Sequence, residues 1–213
     1  MTIPNDVTRV SIIGTGPASE VFDTSFWLVG DAPLNAVGAN LIATAVRDAW
    51  QANAAASWKS WLSPLQRYTE VRVYGYRTGG PNASAIGTAA IVGGDGTGAF
   101  RNPVQTCVVA GLRTLFAGRR ARGRMYLPAT GRQLAPDALW TLAEVTALAN
   151  ATGAFFSALN ANAAAWTVGI VSQVGAGSVQ AVTSVVVDNK PDIQRRRANK
   201  FASTAQFTAA VAV

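Results

Sequence analysis

Histidine is absent from the 213 residues. That removes Ser-His-Asp and Cys-His catalysis, His-ligated metal and the easiest general base near neutral pH. Cysteine occurs once, as Cys107, so neither an intrachain disulfide nor a Cys-rich zinc site can form. Cys107 stands in the apolar run Thr106-Cys107-Val108-Val109-Ala110. A free cysteine in such a run is expected to be a small core residue; a reactive thiol would want an electropositive, partly exposed setting. Charge is scarce as well: 14% of residues are charged and 49% are hydrophobic, against about 25% charged in an ordinary soluble chain. This excludes a disordered chain. It also implies that part of the surface is covered by other copies or by another partner. Residues 1–13 lack a basic start followed by an apolar block, so no secretory signal is read. The uncharged stretch 145–187 is interrupted by Asn150, Asn160, Asn162, Gln173 and Gln180, and no spanning helix or membrane partner is expected.

Lysine is nearly missing too, with three Lys against 15 Arg. Arginine offers a planar fork that grips phosphate or carboxylate bidentately and tolerates interfaces better than lysine. The net charge of +7 is unevenly distributed. Residues 96–136 hold seven Arg and no acid, whereas residues 137–188 hold three acids and no base. The positive charge forms two blocks. One contains Arg119, Arg120, Arg122 and Arg124; the other contains Arg195, Arg196, Arg197 and Lys200. Two chemistries suit them: contact with a nucleic-acid backbone, where arginine displaces counterions, or pairing with carboxylates and carbonyls across a subunit interface. Arg120, Arg122 and Arg124 alternate, so in a strand they would share one face.

Apolar and turn residues then give the organisation. Val7–Thr15 and Glu20–Val29 read as strands around the Gly14–Pro17 turn cluster. From Leu34 to Leu62 the period becomes helical, with Leu41, Ala45 and Ala49, and Ile42, Val46 and Trp50, repeating at i+4. Trp50, Trp58 and Trp61 are expected to anchor it on the core, a sugar-binding platform being the rival reading. Thr69–Thr78, Ser84–Val92, Pro103–Phe116 and Arg124–Leu127 read as strands, the last two bracketing the first arginine block. Ala135-Pro136-Asp137 opens a second helix that extends to about residue 160. Trp166–Val174 and Ser178–Val187 read as a hairpin about Gly175-Ala176-Gly177. No internal repeat is visible. The tail 201–213 is apolar and uncharged, and is expected to add a strand at home or dock on a neighbour.

The order disfavours a doubly wound parallel sheet. It suits one domain over 1–200, mainly β with α insertions: an antiparallel β-sandwich, jelly-roll-like, with helices near 34–62 and 136–160. Nothing marks a reaction, so no catalytic residue, metal or cofactor is assigned. Gly93–Gly98 lacks the Lys-Ser/Thr ending of a phosphate loop and reads as a mobile turn. The near pairs Glu20/Asp23 and Asp188/Asp192 are the available candidates for two-carboxylate hydrolysis, and no cleft supports either. Asn82-Ala-Ser84 and Asn150-Ala-Thr152 match the glycosylation pattern by chance.

Two stretches carry a resemblance. One is Pro103-Val-Gln-Thr-Cys-Val-Val-Ala-Gly-Leu-Arg-Thr114, continued by Gly118-Arg-Arg-Ala-Arg-Gly-Arg-Met-Tyr-Leu-Pro128. The other is Val186-Val-Asp188-Asn-Lys-Pro-Asp-Ile-Gln194-Arg-Arg-Arg197. They resemble stretches of small virion structural proteins of bacteriophages and environmental viruses. The resemblance implies a non-enzymatic capsid, decoration or tail protein that assembles with itself, located in the virion and assembled in the host cytoplasm, with other virion proteins as further partners. Residues 1–8 hold no base, unlike the basic N-terminal arm of many genome-packaging shell proteins. Any charge facing a genome would then come from the arginine blocks. For the first block, an interface or plain surface role is preferred to nucleic acid, with Arg119–Arg124 paired with the acid-only region 137–188 of a neighbouring subunit; for the second block interface and nucleic acid stand even. A nucleic-acid-binding protein using both blocks is the alternative outside the virion class.

Overall fold

A computed structural model of the protein describes residues 6–17, 19, 21–30, 35–60, 62, 64–76, 84–98, 106–116, 119–129, 142–161, 181–188 and 208–212. The strands are β1 (Asp6–Thr15), β2 (Val21–Gly30), β3 (Arg67–Tyr76), β4 (Gly87–Ala90), β5 (Thr106–Phe116), β6 (Arg119–Ala129), β7 (Ala181–Asp188) and β8 (Thr208–Ala212). Helices α1 (Ala36–Asn53) and α2 (Ala55–Lys59) follow β2, and α3 (Leu142–Ala161) follows β6. All pairings are antiparallel, in two four-stranded sheets ordered β2-β1-β3-β4 and β6-β5-β7-β8.

Alternation decides which face of the first sheet is buried. Val10, Ile12, Phe26, Val71 and Val73 point to one side and are almost fully buried. The helices cover them. Ile42, Val46 and Trp50 of α1, Trp58 of α2, and Leu148, Phe155, Phe156 and Leu159 of α3 join the same core. Phe26 meets Phe156 edge-on at 5.4 Å, and Trp58 lies 5.7 Å from Phe155. Each such side chain contributes about 1.5–3 kcal/mol by leaving water. The Asn35 side chain caps α1 by accepting from the Gly38 N–H at 2.8 Å. A turn at Ala54 ends α1, so the single helix expected over 34–62 is two. Leu41, expected on the apolar stripe, is 41% exposed.

The expectation of a mainly β chain with helical insertions holds. A sandwich or jelly-roll is not shown: helices, not a second sheet, lie on the apolar face of the first sheet. The expected strand Trp166–Val174, its hairpin turn and the start of the second helix at 136 lie outside the described residues. The apolar tail supplies β8, which pairs with β7.

The described elements also form a repeat that the sequence hides. Apart from the short α2 that follows α1, β1-β2-α1-β3-β4 and β5-β6-α3-β7-β8 have the same order and the same sheet connectivity. The register repeats in detail. In the first sheet it shifts between Ile13 and Gly14, passing over Thr69; in the second it shifts between Arg113 and Thr114, passing over Thr183. The helices repeat as well. Gly38, Ala39, Ile42, Ala43, Ala45, Val46 and Ala49 are buried in α1, and Leu148, Ala149, Thr152, Gly153, Phe155, Phe156 and Leu159 at the same spacings in α3. α1 packs on β3 and β4 as α3 packs on β7 and β8; α1 touches α3, and the outer strands β2 and β6 run close together.

Candidate functional site: the outer faces of the two sheets

On the first sheet, the face away from the helices is polar. Arg9 and Ser11 of β1 stand beside Ser25 and Asp23 of β2 and Tyr74 and Arg72 of β3. Arg9 Nη2 donates to Asp23 Oδ2 at 2.5 Å and Arg9 Nε donates to Ser11 Oγ at 2.9 Å. Ser25 Oγ donates to Asp23 Oδ1 at 2.5 Å. The Arg9 guanidinium lies 4.9 Å from the centre of the Tyr74 ring. Arg72 Nε donates to Glu70 Oε1 at 2.8 Å, and this hydrogen bond raises the guanidinium above its already high ordinary value. Arg9 and Arg72 are thus each matched by a carboxylate of the same face. The pairs are partly exposed, so each contributes at most about 1 kcal/mol.

The second sheet places the first arginine block. Phe116 pairs with Arg119, so Arg119, Arg120, Arg122 and Arg124 lie within β6 and not between two strands. This corrects the expectation that the strand begins at Arg124. Arg120, Arg122 and Arg124 occupy one face by alternation, and Arg113 of β5 is directly opposite Arg122. Arg119 falls on the other face, opposite Phe116. Cys107, opposite Pro128, shares the face of Arg113, while Leu112, Val185 and Val211 share the other. Arg195, Arg196, Arg197 and Lys200 lie outside the described residues.

Aligning the two sheets at their bulges puts Arg113 at the position of Ile13. The hairpin registers then put Arg120, Arg122 and Arg124 at the positions of Val21, Asp23 and Ser25. The arginine-bearing face therefore corresponds to the polar outer face of the first sheet.

Other candidates lose their chemistry. Asp23 is engaged by Arg9 and Ser25, and its suggested partner Glu20, like Asp192, lies outside the described residues. Among the described residues, no group of three or more His, Cys, Asp or Glu could hold a metal ion. The Gly93–Gly98 loop is strapped down: Gly96, Thr97 and Gly98 donate their N–H groups to the carbonyls of Gln66, Lys59 and Leu62 at 2.7–2.9 Å. Those donors are therefore not free to cradle a phosphate, and the turn expected to be mobile is bonded along its length. Gly94 is required there, since a Cβ would lie 2.0 Å from the Tyr68 carbonyl oxygen. Trp50 and Trp58 are each 1% exposed, which removes them as a sugar platform; Trp61 lies outside the described residues. Thr152 of the second glycosylation match is fully buried. No helix among the described residues is long and apolar enough to cross a membrane. The Arg9–Asp23–Ser25 cluster was not singled out from the sequence, although the alternation of polar residues at 9, 11, 23 and 25 carries its signal.

The chain matches no protein-family model, no curated protein and no solved structure.

Proposed function

We propose that the protein is a virion structural subunit that assembles with copies of itself into a closed shell, without enzymatic activity. One observation carries this reading: β8, at the edge of the second sheet, holds no charged residue and no proline. Edge strands of monomers are normally blunted by shortness, charge, proline, bulges or a covering element, because their free N–H and C=O groups pair with other chains. β4 is blunted in this way, four residues long with the Thr88 N–H donating to Asn40 Oδ1 of α1 at 3.0 Å. The scarcity of charge supports the same reading, since closed symmetric assembly covers surface that would otherwise need it. So does the resemblance carried by residues 103–128 and 186–197. A jelly-roll-like sandwich, the form expected of such subunits, would need a second sheet where α1 and α3 lie. The subunit we propose is therefore a sheet-and-helix one. Decoration and tail proteins are the neighbouring roles; they too reside in the virion after assembly in the host cytoplasm. The test is negative-stain electron microscopy of the chain expressed alone. Closed particles of one diameter are the expected result. Small rings would move the assignment to decoration or tail, and monomers under all conditions would overturn it.

A further inference from the structure

We infer that the outer face of the second sheet binds the phosphodiester backbone of a nucleic acid, with Arg113, Arg120, Arg122 and Arg124 as its phosphate contacts. In a shell this would be the genome-facing side, so the setting rests on the reading above, whereas the binding does not require assembly.

The repeat supplies an internal control. The equivalent positions of the first sheet hold Ile13, Val21, Asp23 and Ser25, so the fold does not demand arginine at any of them. The repeat does keep what its backbone uses. Thr69 and Thr183 sit at the two bulges, followed by Val71 and Val73 in one strand and Val185 and Val187 in the other. Against that shared frame, the second face carries four arginines where the first has none, and Val109 and Val186 where the first has Arg9 and Arg72.

Their register brings like charges together. Arg113 and Arg122 form a directly opposed pair, and like charges so placed cost about 0.2–1 kcal/mol. On the first face each arginine of the network has its carboxylate. On the second, the carboxylate placed among the described residues is Asp188, opposite Val109 and four residues along β5 from Arg113. Alternate residues of a strand repeat every ~6.8 Å, so Arg120, Arg122 and Arg124 form a row along β6. Guanidinium forks match phosphate oxygens bidentately. A linear polyanion presents such groups continuously. A neighbour's region 137–188 offers three acids, Asp137, Glu144 and Asp188, for these four arginines.

The experiment is fluorescence anisotropy with labelled oligonucleotides, in single-stranded and duplex arms, as salt rises from about 50 to 200 mM. Wild type is compared with the triple variant Arg120→Gln, Arg122→Gln, Arg124→Gln. Each phosphate contact adds about 0.7 to the salt slope for a single strand and about 0.9 for a duplex. Removing three contacts should lower the slope by about 2.1 or 2.7, whatever other basic residues contribute to both proteins. On the single strand, the loss of affinity over that fourfold salt rise should shrink by about 18-fold in the variant. Arg113→Gln should lower the slope by about one further contact, while Arg119→Gln, on the other face, should leave it unchanged. Thermal melting checks that each variant folds.

Equal slopes in wild type and the triple variant would overturn the inference, as would a loss in Arg119→Gln equal to that in Arg122→Gln. A triple variant that no longer assembles in the absence of nucleic acid would assign the row to a subunit contact and also overturn it. A wild type that forms particles, but whose dissociated subunits bind no oligonucleotide, would overturn the inference and leave the shell reading standing. One that binds with the expected slope yet stays monomeric would do the reverse.

Discussion

Thr152→Val should destabilise the protein through a single buried donor. Trp58 is 1% exposed and Thr152 fully buried. Trp58 Nε1 donates to Thr152 Oγ1 at 3.2 Å, and Thr152 Oγ1 donates to the Leu148 carbonyl at 2.8 Å. This bridge ties α2, in the first ββαββ unit, to α3 in the second. Valine keeps the shape of threonine, and the two have similar helix propensity. The substitution therefore mainly leaves the indole N–H without an acceptor in a dry core. An orphaned buried donor costs about 1–3 kcal/mol. For a chain of this size each kcal/mol lowers Tm by about 2–4 °C, so a fall of about 2–12 °C is expected. Circular dichroism melts measure it, with urea unfolding to check that the m-value is unchanged. Adding Trp58→Phe removes the orphaned donor. The double variant should then be more stable than the sum of the two single losses implies, by about 1 kcal/mol. A Thr152→Val protein melting within about 1 °C of wild type would refute the claim that this hydrogen bond locks α2 to α3.

Three further substitutions test local parts of the fold. Asn35→Ala removes the side-chain acceptor that caps α1 and should cost about 0.5–2 kcal/mol by urea unfolding. Gly87→Val drives a Cβ to 2.4 Å from the Ala39 carbonyl carbon, where β4 crosses α1; a loss of about 1–3 kcal/mol or more is expected in the same assay. Val37→Ser changes a residue that is 70% exposed and should stay within about 0.5 kcal/mol of wild type.

How much of this was legible depended on the kind of signal. The helical period of Ile42, Val46 and Trp50 located α1, and the alternation of Val71 and Val73 with Glu70 and Arg72 located β3 and its two faces, because burial on one side leaves a strict pattern. The extent of β6 was obscured by its composition. Arg119–Arg124 carries no β-branched residue, and its membership of the strand is set by pairing with β5. β7 pairs with β5 and β8, from distant parts of the chain, and such strand pairing is a non-local choice that no local pattern carries. The repeat was hidden because its units keep register and the spacing of buried helix positions, not side-chain identity or volume. Ala45 and Val46 in α1 face the same layer that Phe155 and Phe156 fill in α3, and Phe26 of β2 has Met125 as its counterpart in β6. The arginine row itself could be read as alternating, but the cross-strand neighbour Arg113 and the contrast with Asp23 and Ser25 needed the register.

The central claim is self-assembly, and size-exclusion chromatography with light scattering at low and high salt tests it most directly. Absorbance at 260 and 280 nm, read on the same peak, reports any nucleic acid carried along. The account predicts a large discrete particle of defined mass with excess absorbance at 260 nm. A 22.1 kDa species at every salt concentration would contradict it.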